Sequence, residues 1–144
     1  MSTIGKKKHH SLENLLIWPA VALGGAAGAL LRFGWTAFFP VDYADFPWAI
    51  FSENLLGAFL LGWFLAIFSG KKGNSRYIRA FFGTGLIGSF TTFSGITIDL
   101  AEFLQQGMLL MPVVYITLSV LAGLLAAFAG ISAGKRTKQI LKEK

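Results

Sequence analysis

Residues 17–39, 47–68, 80–98 and 108–133 of this 144-residue chain form four apolar stretches, each near the roughly 20 residues a helix needs to cross a bilayer. In hydrocarbon every backbone N–H and C=O must be paired within the protein, so stretches of this length predict an all-α integral membrane protein with four transmembrane helices. The connections, near residues 40–46, 69–79 and 99–107, are short, and residues 1–144 read as one four-span domain with basic tails. The first stretch is not a cleaved signal, because Arg32 interrupts it and no small-residue cleavage site follows a short apolar core. Only 14% of residues are charged, against roughly 25% in soluble domains.

The charges that remain are sorted by side. With four spans, both termini and the middle loop face the same compartment. That side carries twelve cations: Lys6, Lys7, Lys8, Lys71, Lys72, Arg76, Arg79, Lys135, Arg136, Lys138, Lys142 and Lys144. The opposite loops carry Asp42, Asp45, Asp99 and Glu102 and no Lys or Arg. Basic loops stay in the cytoplasm, so both termini are expected there, in the plasma membrane of a prokaryotic cell. The net charge of +6 is read as this topology and lipid-headgroup signal, with no nucleic-acid partner. Cysteine is absent and the two histidines, His9 and His10, lie in a polar tail. No nucleophile–base pair or metal-ligand cluster supports an enzyme.

The third stretch carries the chemistry. Gly83, Gly85 and Gly88 are followed by Ser89, Thr91, Thr92, Ser94 and Thr97, five hydroxyls within nine residues. A hydroxyl can bond back to its own helix, but this density exceeds what packing requires. The pattern predicts a third helix broken mid-membrane. Broken backbone at that depth survives only against protein or a wet cavity, and its half-helix ends offer N–H groups to anions and carbonyls to cations. Asn54 in the second stretch brings an amide with two donors. Tyr115 and Ser119, four apart, share a face of the fourth. Phe93 stands among the hydroxyls, where the positive edge of its ring can meet a small anion. Glu53 is expensive in mid-bilayer and is expected in a wet vestibule or as a proton carrier. Small residues such as Gly24 and Gly28, one turn apart, allow close helix approach.

Taken together, three segments resemble the Fluc fluoride channel family, also called CrcB. They are Gly24-Gly25-Ala26-Ala27-Gly28-Ala29-Leu30-Leu31-Arg32, Asn54-Leu55-Leu56-Gly57-Ala58-Phe59-Leu60-Leu61-Gly62, and Gly83-Thr84-Gly85 leading to Thr91-Thr92-Phe93-Ser94. The resemblance covers about residues 20–130. It implies an antiparallel, dual-pore dimer through which fluoride leaves the cytoplasm passively, conferring fluoride resistance. It assigns the anion pathway to Asn54, Thr92, Phe93, Ser94, Tyr115 and Ser119. It also implies a structural Na+ at the dimer two-fold, held by the backbone carbonyls of Gly88 and Ser89.

Departures from the family pattern are Ile96 where a second pore phenylalanine is expected, Asp99 for a longer carboxylate, Gly123 for a hydroxyl, and Ile50 and Glu53 around the asparagine. With its charges on one side, the chain is expected to insert one way only and to pair with an oppositely oriented homologous subunit, a heterodimer rather than a homodimer. Two other readings are a proton-coupled small multidrug exporter and a non-conducting structural subunit of a paired channel.

Overall fold

A computed structural model of the protein describes residue 15 and residues 17–39, 46–70 and 75–143. Lys6, Lys7, Lys8, His9, His10, Asp42, Asp45, Lys71, Lys72 and Lys144, which enter the charge and tail arguments above, lie outside the described residues. The described chain is helical, with four helices long and apolar enough to cross a membrane.

Helices α1 (Ile17–Ala37) and α2 (Trp48–Phe68) have 21 residues each. At 1.5 Å per residue each is about 31 Å long, matching a hydrocarbon core of about 30 Å. The third span runs over Ser75–Gln105 in four pieces: α3 (Ser75–Ile78), a π-helical segment π1 (Arg79–Ile87), α4 (Gly88–Phe90) and α5 (Phe93–Gln105). It exceeds the expected 80–98 at both ends. The π segment and the break consume residues without continuing a regular α-helix, and helix continues through Asp99 into a stretch the sequence suggests is loop. Helix α6 (Leu110–Glu143) has 34 residues and passes the expected end at Ala133. Lys, Arg, Gln, Leu and Glu are good helix formers, so the helix persists where hydropathy stops.

The turn between α5 and α6 is built by Gly107, at φ +76°, which only glycine adopts without strain. There Gly107 N–H donates to the Leu104 carbonyl (3.0 Å) and Met108 N–H to the Phe103 carbonyl (2.9 Å), satisfying carbonyls at the helix end.

Two helix pairs dominate the packing, α1 with π1 and α2 with α6. Both rest on glycine. A Cβ added at Gly24 or Gly28 would overlap the Phe81 or Leu86 carbonyl, and one at Gly85 would lie 2.7 Å from the Val21 carbonyl oxygen. On the other pair, Gly130 meets the backbone of Phe59 and Trp63 while Gly134 meets Trp63 and Ala66. Residue numbers rise together along that contact, so α2 and α6 run parallel, as second and fourth spans must. Hydrogen bonds from Trp35 Nε1 to Ser52 Oγ (3.2 Å) and from Trp63 Nε1 to Thr137 Oγ1 (3.3 Å) tie the helices laterally. Little of the apolar surface is covered. Leu125 is 70% exposed and Phe128 66%, as expected of side chains facing lipid or another subunit.

Candidate functional site

The break falls at Thr91 and Thr92, later than the glycines suggest. Thr91 has φ −76° and ψ 152°, and Thr92 has φ −145° and ψ 125°, both extended. Up to Phe90 the chain is helical, so the glycines serve close packing and the π coil, and the threonines open the chain. β-branched residues favour extended backbone, and a side chain from another span holds them there. Asn54 Oδ1 accepts from Thr92 N–H (2.9 Å), and Asn54 Nδ2 donates to the Thr92 carbonyl (3.0 Å). Both main-chain groups of one residue are thereby satisfied where hydrocarbon could not satisfy them, and the main chain dictates which way the amide points. The Asn54 amide keeps one hydrogen beyond this clamp.

Thr92 also starts α5. Its Oγ1 accepts from Gly95 N–H (3.1 Å), an N-cap, and lies 2.9 Å from Ser94 Oγ. Either hydroxyl can donate in that pair. One bond between two hydroxyls uses one hydrogen, so one O–H is always left to offer elsewhere. The cluster therefore presents two uncharged donors, one from the Asn54 amide and one from the Thr92–Ser94 pair. The remaining hydroxyls divide. Thr91 Oγ1 donates to the Ile87 carbonyl (3.0 Å) and Thr97 Oγ1 to the Phe93 carbonyl (3.1 Å), bonding back to their own helices.

Phe93, the first residue of α5, is 74% exposed and lies on the outside of the subunit next to this donor cluster. A phenyl ring standing out from the protein at the head of a helix has no packing role within its own subunit.

Tyr115 is almost completely buried, at 1% exposure, between the edges of Phe46 and Phe103, whose ring centroids lie 5.3 and 6.1 Å away. Its hydroxyl donates to Asp99 Oδ2 at 2.8 Å. Asp99 is thus a bonded member of the site rather than a cap at the end of the span, a role that spacing alone does not reveal. Ser119 Oγ is buried without a hydrogen-bond partner among the described residues. Neither Tyr115 nor Ser119 is hydrogen-bonded to the Asn54–Thr92 cluster, so the anticipated pathway residues form two groups, one at the break and one beside α6.

Glu53 departs from expectation. It is 0% exposed, and neither carboxyl oxygen has a partner among the described residues. The carboxyl is enclosed rather than open to a wet vestibule, beside the Asn54 clamp but outside it.

Among the described residues no three His, Asp or Glu side chains gather to hold a metal ion, so a cation would need main-chain oxygens. The break supplies candidates. Thr92 N–H, which a continuous helix would give to the Gly88 carbonyl, goes to Asn54 instead. Among the described residues no hydrogen bond crosses the break to the Gly88 or Ser89 carbonyl. These carbonyls sit at the negative end of a helix and are hard oxygen donors of the kind a small cation takes.

Residues 19–131 match the family model described as "CrcB-like protein, Camphor Resistance (CrcB)". The chain is 39% identical over 117 residues to "Fluoride-specific ion channel FluC" of Allorhizobium ampelinum, covering 80% of this chain and 93% of that protein. It is 35% identical over 121 residues to "Fluoride-specific ion channel FluC 2" of Geobacillus kaustophilus, covering 83% and 94%. It is 34% identical over 116 residues to "Fluoride-specific ion channel FluC 1" of Streptomyces coelicolor, covering 81% and 75%.

Proposed function

The chain belongs to the CrcB family, and from that membership we propose that it is a subunit of a fluoride-specific ion channel in which fluoride crosses along the Asn54–Thr92–Ser94 donors and the Phe93 ring. One observation carries the reading. The break presents two uncharged hydrogen-bond donors next to an exposed phenyl ring, on the outer face of the subunit. Uncharged donors and ring edges can replace a small anion's hydration shell, and without a fixed cation they hold it weakly enough to let it leave. The channel is no enzyme. Flux is passive, and its consequence for the cell is resistance to fluoride.

An outward-facing pathway needs a second wall. The exposure of Phe93 supports a path at an interface between subunits, each closing the other's groove. The one-sided charge distribution supports a fixed orientation with both termini in the cytoplasm, and the second wall then comes from an oppositely oriented homologue. Ile96, on α5 less than one turn from Phe93, offers no aromatic edge, so one of the paths in such a heterodimer is weakened. The carbonyls of Gly88 and Ser89 would hold a structural Na+ where the two breaks meet, supplying a fixed charge that locks the subunits together.

The test is fluoride efflux from liposomes, read with a fluoride electrode against a chloride control. Silence of this chain alone, relieved by an oppositely biased homologue, is expected. Fast efflux from the chain alone would remove the obligate partner while keeping the channel. Efflux that does not distinguish fluoride from chloride, with or without the partner, would overturn the function.

A further inference from the structure

At the cytoplasmic end assigned above, α2 stops at Phe68 while α6 continues to Glu143. By length, α6 is about 51 Å, some 20 Å more than the hydrocarbon core, so its last turns stand in the headgroup layer. The step between the two helix ends leaves a cavity of about 540 Å³, within the roughly 300–1,000 Å³ range of ligand sites. Its lining changes character along the membrane normal. Leu65, Ala66 and Ile131 form the end nearer the bilayer centre, and Lys135, Lys138 and Lys142 form the end beyond it.

Residues 131, 135, 138 and 142 follow the four-three-four spacing of one helix face, so the apolar floor and the basic rim are one continuous stripe. Lys138 Nζ donates to the Ser69 carbonyl (2.7 Å), fixing one ammonium at the mouth. No carboxylate among the described residues neutralises Lys135, Lys138 or Lys142. Leu65 remains 48% exposed, open to a chain lying along the floor.

We propose that this cleft is a binding site for an anionic phospholipid, its phosphate held by Lys135, Lys138 and Lys142 and an acyl chain running over Leu65, Ala66 and Ile131. Charge complementarity selects the occupant. A zwitterionic headgroup would bring a fourth cation to a rim that already has three. Basic pockets between transmembrane helices on the cytoplasmic side commonly take such headgroups. The cleft rests on the proposed cytoplasmic placement of the termini and is independent of the ion the pore carries.

The experiment is native mass spectrometry of the purified full-length protein in detergent with added phosphatidylglycerol, diphosphatidylglycerol or phosphatidylcholine. Retention of the two anionic lipids over phosphatidylcholine is expected. The triple variant Lys135→Gln/Lys138→Gln/Lys142→Gln should lower their affinity on the order of 100-fold, about fivefold per lysine. Arg136→Gln, which removes the same charge from another face of α6, should change little. Circular dichroism checks the fold of each variant, and Lys142→Gln, exposed in the last turn, gives the single step should the triple variant fail to fold. Fluoride efflux in phosphatidylcholine liposomes, read with each variant paired with the oppositely biased homologue, should be the same for all. An equal drop with Arg136→Gln, equal retention of phosphatidylcholine, or displacement of lipid by inorganic phosphate would each overturn the proposal.

Discussion

Replacing Asn54 tests whether one side chain sets the shape of the third span. Asn54→Leu removes both hydrogen bonds to Thr92, at 2.9 and 3.0 Å, and leaves its N–H and carbonyl without partners. A buried polar group left unsatisfied costs about 1–3 kcal/mol, so the pair should cost about 2–6 kcal/mol. Asn54→Asp keeps an oxygen for the Thr92 N–H but turns another toward the Thr92 carbonyl, losing one bond and adding repulsion. It should fall between wild type and Asn54→Leu. Reversible denaturation in mixed micelles reads the stabilities, and amide exchange at Thr92 reads the clamp directly, since its N–H should lose protection in Asn54→Leu. Fluoride efflux should drop at least tenfold in Asn54→Leu, because the same rearrangement turns the Thr92 N-cap and with it Phe93. An Asn54→Leu protein within about 0.5 kcal/mol of wild type, the usual range of an inert surface change, and with Thr92 still protected, would refute the reasoning.

Four further outcomes are expected. Phe93→Ile should abolish most fluoride efflux through the paired channel while leaving subunit stability nearly unchanged, because the ring is 74% exposed; unchanged efflux would take Phe93 out of the path. Tyr115→Phe leaves the half-buried Asp99 without its hydroxyl donor and should destabilise by about 1–3 kcal/mol in the same denaturation assay. Glu53→Met, which replaces an enclosed carboxyl that has no hydrogen-bond partner among the described residues with an apolar chain of similar length, should stabilise by about 1–3 kcal/mol; a loss would reveal a partner Glu53 acquires in the assembled channel. Gly28→Ala places a methyl on the Leu86 carbonyl and should prevent α1 from seating on π1, seen as loss of folded protein in size-exclusion chromatography.

Much of this was readable from residue order. Membrane-length apolar runs locate four spans, because hydrophobic length is a local property. The third-span break was also visible, but its position was not. Glycine is the local signal for irregular backbone and points to Gly83–Gly88, whereas the chain opens at Thr91–Thr92. What decides this is Asn54, 38 residues away, and no local pattern encodes a partner that far off. Asn54 illustrates the same limit from the other side, since half of its hydrogen-bonding capacity goes to main chain rather than to an ion. The Tyr115–Asp99 bond was hidden because Asp99 looked like the start of a loop. Helix α6 outran its hydropathy because helix formation and membrane burial are separate requirements.

The π segment has an angular consequence. Its bonds reach back five residues, as Gly88 N–H does to the Gly83 carbonyl, so each turn holds about one more residue than an α-helix would. Side chains beyond it are therefore rotated relative to those before it, by an amount set by the number of residues in the wide coil. Residue count across Arg79–Ile87 acts as a dial for the bearing of everything downstream. Deleting one residue while the coil stays wide leaves the break and its donors intact, yet it swings the Thr92–Phe93–Ser94 face by roughly 80° about the helix axis, the angle one residue of such a coil covers. A protein tolerant of substitution in this segment should still be intolerant of a change in its length.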